Sequence, residues 1–524
     1  MSSRLERFGL LAVIGLAAVA RLPGLATRGR FDADQGHDML VLLGMTQGAW
    51  PLLGPGASVG EFHHGAFYYY LLGPAAFVSG ADPVVVTAWI AVLGIAAVAL
   101  TWWLARSIAG PLAGLIAGLL MAVSPAAIEQ STFIWNPNPI PLFAALGLGA
   151  AWQGRQTRRA GWWAVAIGAA AAVVQLHVLG IVFLIGILAI AALEAWSTDP
   201  AGRGTVARGA AGGLGLAALL FLPLIVHELQ TGFLETSRVA DYLASGDGGG
   251  DGAAGALAFT LLRVVGWPLV GLVTDVPALA AVVVGLVVAL AAWSIVALRG
   301  PRRVAAAWLS ALLAWSVVAL ALTAPSLQRV VAGLPNDHYH AFADPMVAVL
   351  VALAGVTLRE RAAAAAAASA GSAADRLRTA ARVGVTLALG LIVIVEVTRW
   401  PPAADPDGGW TAARDAGARI AGAAGGGSVI LLGLPEFKRT DGIGFPIVAA
   451  GAEVVPFEAG IDRADVIVVA CDRLFETVVG AACGGPAEDR LVLERLPPGS
   501  IELPFSVTRF DASRRTAISI YAPR

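Results

Sequence analysis

Long apolar segments separated by short polar ones make up most of the first 400 residues of the chain. Several exceed the roughly 18 residues that indicate a bilayer-spanning helix. The pattern predicts eleven spans, at about 8–22, 83–105, 112–128, 138–153, 161–176, 178–195, 209–226, 276–298, 304–323, 342–358 and 383–400.

Residues 161–195 form one uninterrupted apolar stretch. A single helix of this length would be about 52 Å long, against a hydrocarbon core of about 30 Å. The stretch therefore predicts two helices joined by a tight turn near His177.

The N-terminal segment resembles a signal peptide, with polar residues 1–7 followed by an apolar run to Ala20. A signal peptide would end in a small-residue cleavage site. Here Arg21, Leu22 and Pro23 follow the run instead. We therefore expect a retained first span.

Arginines accumulate in alternate loops between the predicted spans, and basic loops stay in the cytoplasm. These arginines are Arg4, Arg7, Arg106, Arg155, Arg158, Arg159, Arg203, Arg208, Arg299, Arg302, Arg303, Arg359, Arg361, Arg376, Arg378 and Arg382. Their distribution predicts a multi-pass protein of the cell membrane with a cytoplasmic N-terminus. Because eleven is odd, the C-terminal part is expected outside the cytoplasm.

After about residue 403 the pattern changes to short alternating segments. Residues 429–433, 465–471, 491–496 and 516–522 read as strands, and 410–424 and 473–482 read as helices. This alternation predicts a small α/β domain over 403–524, next to an all-α membrane bundle over 1–402. A glycine-rich run at 422–428 precedes a strand, whereas a phosphate-binding loop follows one, so no nucleotide site is expected. Cys471 and Cys483 form either a disulfide or two buried thiols.

The composition agrees with a membrane protein. Hydrophobic residues make up 57% of the chain and charged residues 14%, whereas soluble domains carry about 25% charged residues. The net charge of −1 gives no indication of nucleic-acid binding. Membrane lipids are the expected surroundings.

Polar chemistry concentrates in the predicted outer loop, residues 23–82. This loop contains Asp32, Asp34, His37, Asp38, Glu61, His63, His64 and the tyrosines 68–70. A carboxylate such as Asp34 can take the proton of an acceptor hydroxyl. A phosphate leaving group needs positive charge or a metal. Arg21, Arg28 and Arg30 lie just outside the first span, against the usual charge rule, and are predicted to bind an anion beside Asp34. The alternative is a loop of merely solvated polar residues.

Three segments in this part of the chain carry a family resemblance: 32–55 (DADQGHDMLVLLGMTQGAWPLLGP), 60–72 (GEFHHGAFYYYLL) and 133–143 (FIWNPNPIPLF). Together they resemble membrane-embedded glycosyltransferases of the GT-C fold. The nearest group is the family 39-like branch of protein mannosyltransferases, aminoarabinose transferases and lipopolysaccharide-core sugar transferases. The motifs cover roughly residues 10–200, and beyond them the resemblance rests on topology.

The resemblance implies that Asp34 is the general base, because it holds the first acidic position of the family's acidic pair. It also implies a sugar donor carried on polyprenyl phosphate and an acceptor that is a glycan, a lipid or a protein. Two departures are visible. Gln35 replaces the second acid of many relatives, and Ala66 and Phe67 stand where relatives often have Pro and Leu.

Further residues are predicted to contact the substrate: Gln35, His63, His64, Tyr69, Asn136, Arg329, His338 and His340. Each has a structural alternative, such as turn chemistry at Asn136 or an interfacial aromatic belt around His338. Glu61 and His64 are the candidate ligands of a divalent metal, the one cofactor considered. Two or three ligands from one loop are too few to specify a metal.

Two other classes of function compete with the transferase. A transporter or flippase of lipid-linked saccharides would show internal repeats and polar sites in mid-membrane, whereas the polar residues here gather at the outer surface. A sensor would use the C-terminal domain, which carries no recognisable motif.

Overall fold

The structure is a computed structural model that describes residues 3–57, 60–245, 253–328, 338–368, 372–459, 464–496 and 503–524. Its first part is helical, apart from a short hairpin of β1 (Leu53–Gly56) and β2 (His63–Gly65) in the outer loop. The helices are α1 (Ser3–Arg21), α2 (Leu25–Arg28), α3 (Ala33–Thr46), α4 (Phe67–Ser79), α5 (Pro83–Ala109), α6 (Pro111–Val123), α7 (Pro125–Glu129), α8 (Ile140–Thr157), α9 (Ala160–Leu176), α10 (Ile181–Ser197), α11 (Pro200–Thr231), α12 (Leu234–Ser245), α13 (Ala253–Leu261), α14 (Trp267–Val270), α15 (Pro277–Ala297), α16 (Gly300–Thr323), α17 (Asp344–Ala368) and α18 (Ser372–Thr398).

Each predicted span coincides with one of these helices, except 112–128, which covers both α6 and the short α7. Among the described residues, six helices are long and apolar enough to cross a bilayer: Pro83–Ala109, Val178–Ser197, Pro200–Thr231, Pro277–Ala297, Gly300–Thr323 and Ala341–Ala364. The multi-pass membrane fold is therefore confirmed, while eleven crossings stays a prediction. A further apolar helical segment, Ala254–Val270, was not predicted as a span.

The predicted break near His177 is present. Helix α9 ends at Leu176, and the 3-10 turn Val178–Gly180 leads into α10. The His177 ring stabilises this turn, because its Nδ1 accepts a hydrogen bond of 3.2 Å from the Leu179 N–H. Gly180 is required here, since a Cβ would lie 2.6 Å from the carbonyl carbon of Val173.

The C-terminal sheet region, residues 409–524, contains a five-stranded sheet in the order β4-β3-β5-β7-β6. Its elements are α19 (Gly409–Ala423), β3 (Ser428–Leu434), α20 (Asp441–Ala449), β4 (Glu453–Val455), β5 (Val466–Asp472), α21 (Glu476–Val479), α22 (Pro486–Leu493), β6 (Phe505–Asp511) and β7 (Thr516–Pro523). Strands β4, β3 and β5 are parallel, and β7 and β6 add antiparallel to β5. A small α/β fold is thus confirmed, while the division at residue 402 stays a prediction.

One predicted strand, 491–496, is wrong, because this segment ends helix α22 and the turn after it. Pro486 occupies the first turn, and the Glu488 carboxylate accepts hydrogen bonds from the N–H groups of Gly484 and Gly485. These features begin a helix at Pro486, and the apolar residues from 491 onwards continue it instead of forming a strand. The predicted helix 473–482 is only a 3-10 turn followed by the short α21.

The two cysteines, whose state the sequence left open, form a disulfide. The bond joins Cys471, near the end of β5, to Cys483, 12 positions later. It ties the segment after β5 to the sheet.

The C-terminal sheet region packs directly on the outer loop. The Phe31 ring lies 4.9 Å from the Trp410 ring and 6.3 Å from the Phe445 ring. A Cβ at Gly36 would overlap the carbonyl oxygen of Asp441, so the N-terminus of α20 rests against α3. This close approach turns the carboxyl ends of β3 and β5 towards α3.

Candidate active site

Helix α3 is held at its N-terminus by a capping box. The Asp32 side chain accepts a hydrogen bond of 2.8 Å from Ala33 N–H, and Gln35 Oε1 accepts one of 2.9 Å from Asp32 N–H. The Nε2 of Gln35 donates to the Ile134 carbonyl at 2.8 Å. Gln35, predicted to contact the substrate, is therefore buried and anchors α3 to the segment after α7.

A cavity of ≈ 200 Å³ opens beside this helix. It is lined by Asp34, His37, Asp38, Pro55, Gly56, Ala57, His64, Trp135, Asn136, Tyr339 and Arg439. All three motif segments recognised in the sequence thus meet around one space. Asp34 and Asp38 share a helix face because they are four residues apart.

Asp34 lies at this cavity with an exposed side chain. Among the described residues, its carboxylate accepts no hydrogen bond and forms no ion pair. Desolvation by the surrounding protein raises the pKa of Asp34, and the neighbouring Asp32 raises it further. Lys438, Arg439 and His37 act in the opposite direction. A carboxylate with a raised pKa is a stronger base, as proton abstraction requires.

Asp38 is a second carboxylate of the site, and it was not singled out from the sequence. It is buried, and it accepts hydrogen bonds from Tyr68 Oη at 3.0 Å and from Tyr69 Oη at 2.9 Å. Burial raises the pKa of Asp38 to about 7, although the two hydroxyls lower it. Tyr69, predicted to contact the substrate, therefore orients Asp38. The four-residue spacing from Asp34 was the signal in the sequence that could have identified Asp38.

His37 connects this helix face to the C-terminal sheet region. Its Nδ1 lies 3.3 Å from Asp441 Oδ2. The hydrogen bond to Asp441 raises the pKa of His37, while partial burial lowers it. The charged form of His37 is therefore more favoured than in a free histidine.

Aromatic and imidazole rings form the opposite wall of the cavity. The His177 ring stacks on Tyr339 at 3.7 Å, and the His64 ring lies 4.5 Å from His177. Burial lowers the pKa of His64 to about 4, so this ring is neutral at physiological pH. Asn136 lines the cavity, and its Nδ2 donates to the Leu176 carbonyl at 2.6 Å. The structure therefore brings His64 and Asn136 to the Asp34 cavity, as predicted.

Two of the three arginines predicted beside Asp34 are engaged at helix ends. Arg21 is fully buried and donates to the carbonyls of Met121 at 2.9 Å and Ala122 at 2.8 Å. Arg28 donates to the Ala20 carbonyl at 2.6 Å. Guanidinium groups satisfy the free carbonyls of helix C-termini well. Both side chains lie outside the Asp34 cavity, because the ends of α1 and α6 use them.

Arg30 lies instead in a neighbouring cleft between the outer loop and the C-terminal sheet region. The residues that line this interdomain cleft include eight charged ones: Arg30, Asp32, Asp405, Asp407, Lys438, Arg439, Asp472 and Arg515. Arg515 bridges the two sides, with Nη1 3.1 Å from Asp32 Oδ2 and Nη2 2.6 Å from Asp472 Oδ2. Arg439 lines both this cleft and the Asp34 cavity.

The other predicted residues lie away from the Asp34 cavity. The backbone N–H of His63 donates to Glu235 Oε2 at 2.6 Å, and its ring Nδ1 lies 3.2 Å from the same oxygen. His338 and His340 are buried next to Trp267, with His338 Nε2 2.9 Å from Asp344 Oδ2. Arg329 falls outside the described residues.

Metal binding by Glu61 and His64 stays a prediction. Glu61 is exposed with a φ of 53°, whereas His64 is buried. In the described part of the chain, two groups bring three ligand-type side chains close together. They are His338, His340 and Asp344, and Glu488 with the disulfide cysteines. Neither group contains Glu61 or His64.

Residues 49–208 match the family model of dolichyl-phosphate-mannose-protein mannosyltransferases. A search of the curated proteins found no relative by sequence.

Three solved structures share the fold over most of the chain. ArnT from Cupriavidus metallidurans bound to undecaprenyl phosphate matches with a TM-score of 0.59 and 13% identity, over 97% of this chain and 97% of that chain. The same protein in the apo state matches with a TM-score of 0.60 and 12% identity, over 97% of each chain. The Archaeoglobus fulgidus oligosaccharyltransferase in complex with Zn and sulfate matches with a TM-score of 0.53 and 15% identity, over 91% of this chain and 70% of that chain.

At these identities the structural matches show the fold. The family match includes six of the eleven residues that line the cavity, while Asp34 precedes it, and it supports a glycosyltransferase that uses a lipid-linked donor. The resemblance predicted from the motifs is confirmed: the chain has the GT-C fold of membrane-embedded glycosyltransferases.

Proposed function

We propose that this protein transfers a sugar from a polyprenyl-phosphate donor to an acceptor hydroxyl at the outer face of the membrane, with Asp34 as general base. One observation carries the proposal. Asp34 is an unpaired carboxylate, among the described residues, with a raised pKa in a cavity built from all three motif segments.

The chemistry needs two groups on the protein. A base must take the proton of the acceptor hydroxyl as its oxygen attacks the anomeric carbon of the sugar. A positive group must stabilise the phosphate that leaves with the electron pair of the broken C–O bond. Asp34 fits the first role, and cations of the same cavity fit the second.

The donor class is proposed from the neighbours. ArnT, the fold of which covers 97% of this chain, has been solved with undecaprenyl phosphate bound. The family model that matches residues 49–208 is named for dolichyl-phosphate-mannose. Both names describe a sugar carrier with a long isoprenoid tail, which fits a cavity at the end of an apolar helical bundle.

The outward orientation has independent support. Disulfides persist in oxidising compartments and are rare in the cytosol. The Cys471–Cys483 bond therefore fits a C-terminal sheet region outside the cytoplasm, as the arginine distribution predicts. The Asp34 cavity lies on this same side, because the sheet region contributes Arg439 to it.

The test is turnover by the purified protein in nanodiscs with polyprenyl-phosphate mannose, aminoarabinose and arabinose. Asp34→Asn is expected to lower turnover by roughly 100-fold or more, because general-base catalysis contributes about 10²–10⁴. Asp415→Asn, on an exposed face of α19, is the matched control and should turn over normally. Wild-type rates in the Asp34→Asn protein would refute the general-base role.

The transporter or flippase alternative is not favoured. The family match and the shared fold both point to transferases. An Asp34→Asn protein that leaves lipid-linked sugars correctly distributed, but untransferred, would distinguish the two functions.

A further inference from the structure

The loop between β3 and α20, residues 435–440, reaches from the C-terminal sheet region to the Asp34 cavity. It follows the carboxyl end of a parallel strand, which is where ligand-binding loops lie in open α/β sheets. The loop carries two cations, Lys438 and Arg439.

These two cations differ in what they contact. The Nζ of Lys438 lies 3.6 Å from Asp472 Oδ2 and 4.0 Å from Asp32 Oδ2, so Lys438 belongs to the ion-pair network of the interdomain cleft. Arg439 forms no ion pair or hydrogen bond with any residue that the structure describes. Its guanidinium faces β1, since a Cβ at Gly56 would lie 3.9 Å from Arg439 Nη2.

Arg439 is also the one arginine or lysine among the residues that line the Asp34 cavity in the described structure. Arg21 and Arg28 are bound to helix carbonyls, and Arg30 lies in the interdomain cleft. Arg439 is exposed to the cavity, so its guanidinium keeps donors available for an anion. Its planar fork matches the geometry of two phosphate oxygens.

We propose that Arg439 binds the phosphate group of the lipid-linked donor, so that the C-terminal sheet region supplies part of the active site. The inference rests on the proposed transferase function and names the partner of that site. A donor phosphate and a phosphate on the acceptor share this chemistry, so the experiment below includes both.

The loop is held in place by contacts on both sides of it. Asp441, which follows the loop, pairs with His37 on α3 at 3.3 Å. Arg515 links Asp32, at the start of α3, to Asp472, at the end of β5. The loop that carries Arg439 is therefore held next to the helix that carries Asp34, which preorganises a positive charge for the leaving group.

The charge balance of the reaction predicts which state Arg439 favours. The acceptor oxygen bonds to the anomeric carbon, the bond from this carbon to the phosphate oxygen breaks, and its electron pair stays on the phosphate. Asp34 takes the acceptor proton. The phosphate changes from a singly charged diester to a monoester that carries up to one more negative charge, so a cation stabilises the departing group more than the donor.

The experiment measures binding of undecaprenyl phosphate to the full-length protein in nanodiscs without an acceptor. Arg439→Gln is expected to weaken this binding by roughly 10- to 100-fold, the range for losing a hydrogen-bonded charge. Arg439→Lys should fall in between, because it keeps the charge without the fork. Arg414→Gln is the matched control: this arginine of the same region is exposed and pairs only with Asp415.

A second arm titrates a phosphorylated lipid that carries no polyprenyl chain. If Arg439→Gln and Arg439→Lys bind undecaprenyl phosphate as tightly as the wild type, the inference is overturned. The inference is also overturned if the Arg439 variants lose affinity only for the phosphorylated lipid, because the phosphate would then be the acceptor's.

The Asp34→Asn variant separates this inference from the proposed function, since this variant should lose turnover and keep undecaprenyl phosphate binding. Full turnover in Asp34→Asn, combined with weakened binding in Arg439→Gln, would refute the general base and leave the phosphate site standing.

Discussion

The outer loop and the C-terminal sheet region contribute to one site in different ways. The outer loop carries recognisable motifs, and its helix α3 presents Asp34 and Asp38 to the cavity. The sheet region carries no recognisable motif, yet it contributes Arg439 to the same cavity. It also contributes Asp441, which pairs with the cavity residue His37. The proposed base, Asp34, is thus local to its motif, whereas the charged groups Arg439 and Asp441 come from a distant part of the chain. The four predictions below test how far the two regions depend on each other and what stabilises each of them.

The largest effect is expected from separating the two regions. Gly36→Ala places a Cβ into the Asp441 carbonyl oxygen, so α20 and the Arg439 loop must move away from α3. A displacement of about 1 Å at a catalytic site can cost roughly 100-fold in rate, and we expect a loss of this size in turnover. Gly44→Ala on the same helix is the control, because its Cβ would meet only Ala49 Cβ at 3.6 Å. Normal turnover in Gly36→Ala would show that α3 works without the sheet region.

A smaller effect, on pH dependence, is expected from Asp32→Asn, a change that keeps a helix-capping side chain at the start of α3. The proposed base, Asp34, acts only when ionised, so turnover should fall as the pH drops through its raised pKa. The charge of Asp32 contributes to raising this pKa, and its removal should move the acid limb to lower pH. The measurement is turnover against pH, with Asp415→Asn as the control. An unchanged acid limb would show that the two carboxylates do not interact.

The buried carboxylate Asp38 has a separate consequence for stability. The pKa of Asp38 is raised from 3.8 to about 7 in the folded protein, so the folded state binds more protons than the unfolded state between these values. The free energy of unfolding should therefore decrease as the pH rises from about 4 to about 7. Asp38→Asn should flatten this slope in denaturation curves.

The smallest effect on activity is expected from the disulfide. Replacing Cys471 and Cys483 by Ser should lower the free energy of unfolding of the sheet region by roughly 2–4 kcal/mol, because the unfolded chain gains freedom. Turnover well below the melting temperature should stay close to normal, since neither cysteine lines the Asp34 cavity. Thermal denaturation with and without reductant provides the measurement. An unchanged Tm would contradict a stabilising role.

Much of the fold could be predicted, because a bilayer permits few solutions. Lipid cannot satisfy backbone polar groups, so long apolar runs must be helices. The turn at His177 followed from the same constraint on length. The strand prediction for 491–496 was wrong because the apolar residues of a short helix and of a strand form similar patterns. Capping by Glu488 favours the helix here.

The site could be predicted only as far as its local motifs reach. Asp34 was found because its neighbours along the chain form a recognisable pattern. Arg21 and Arg28 were misplaced because nothing in the sequence shows that helix carbonyls already hold them. Arg439 follows the motif by about four hundred positions, and only tertiary packing brings the two together.

The bridge from Arg515 to Asp32 spans 483 positions. Membrane helices insert while the ribosome is still translating, so α3 reaches the outer surface long before the strand that begins at Thr516 is made. A nascent chain arrested between these two points would be embedded in the bilayer with Asp34 in place and the guanidinium of Arg515 still missing. The contact between α3 and the sheet region can therefore form only after almost the whole chain has been made.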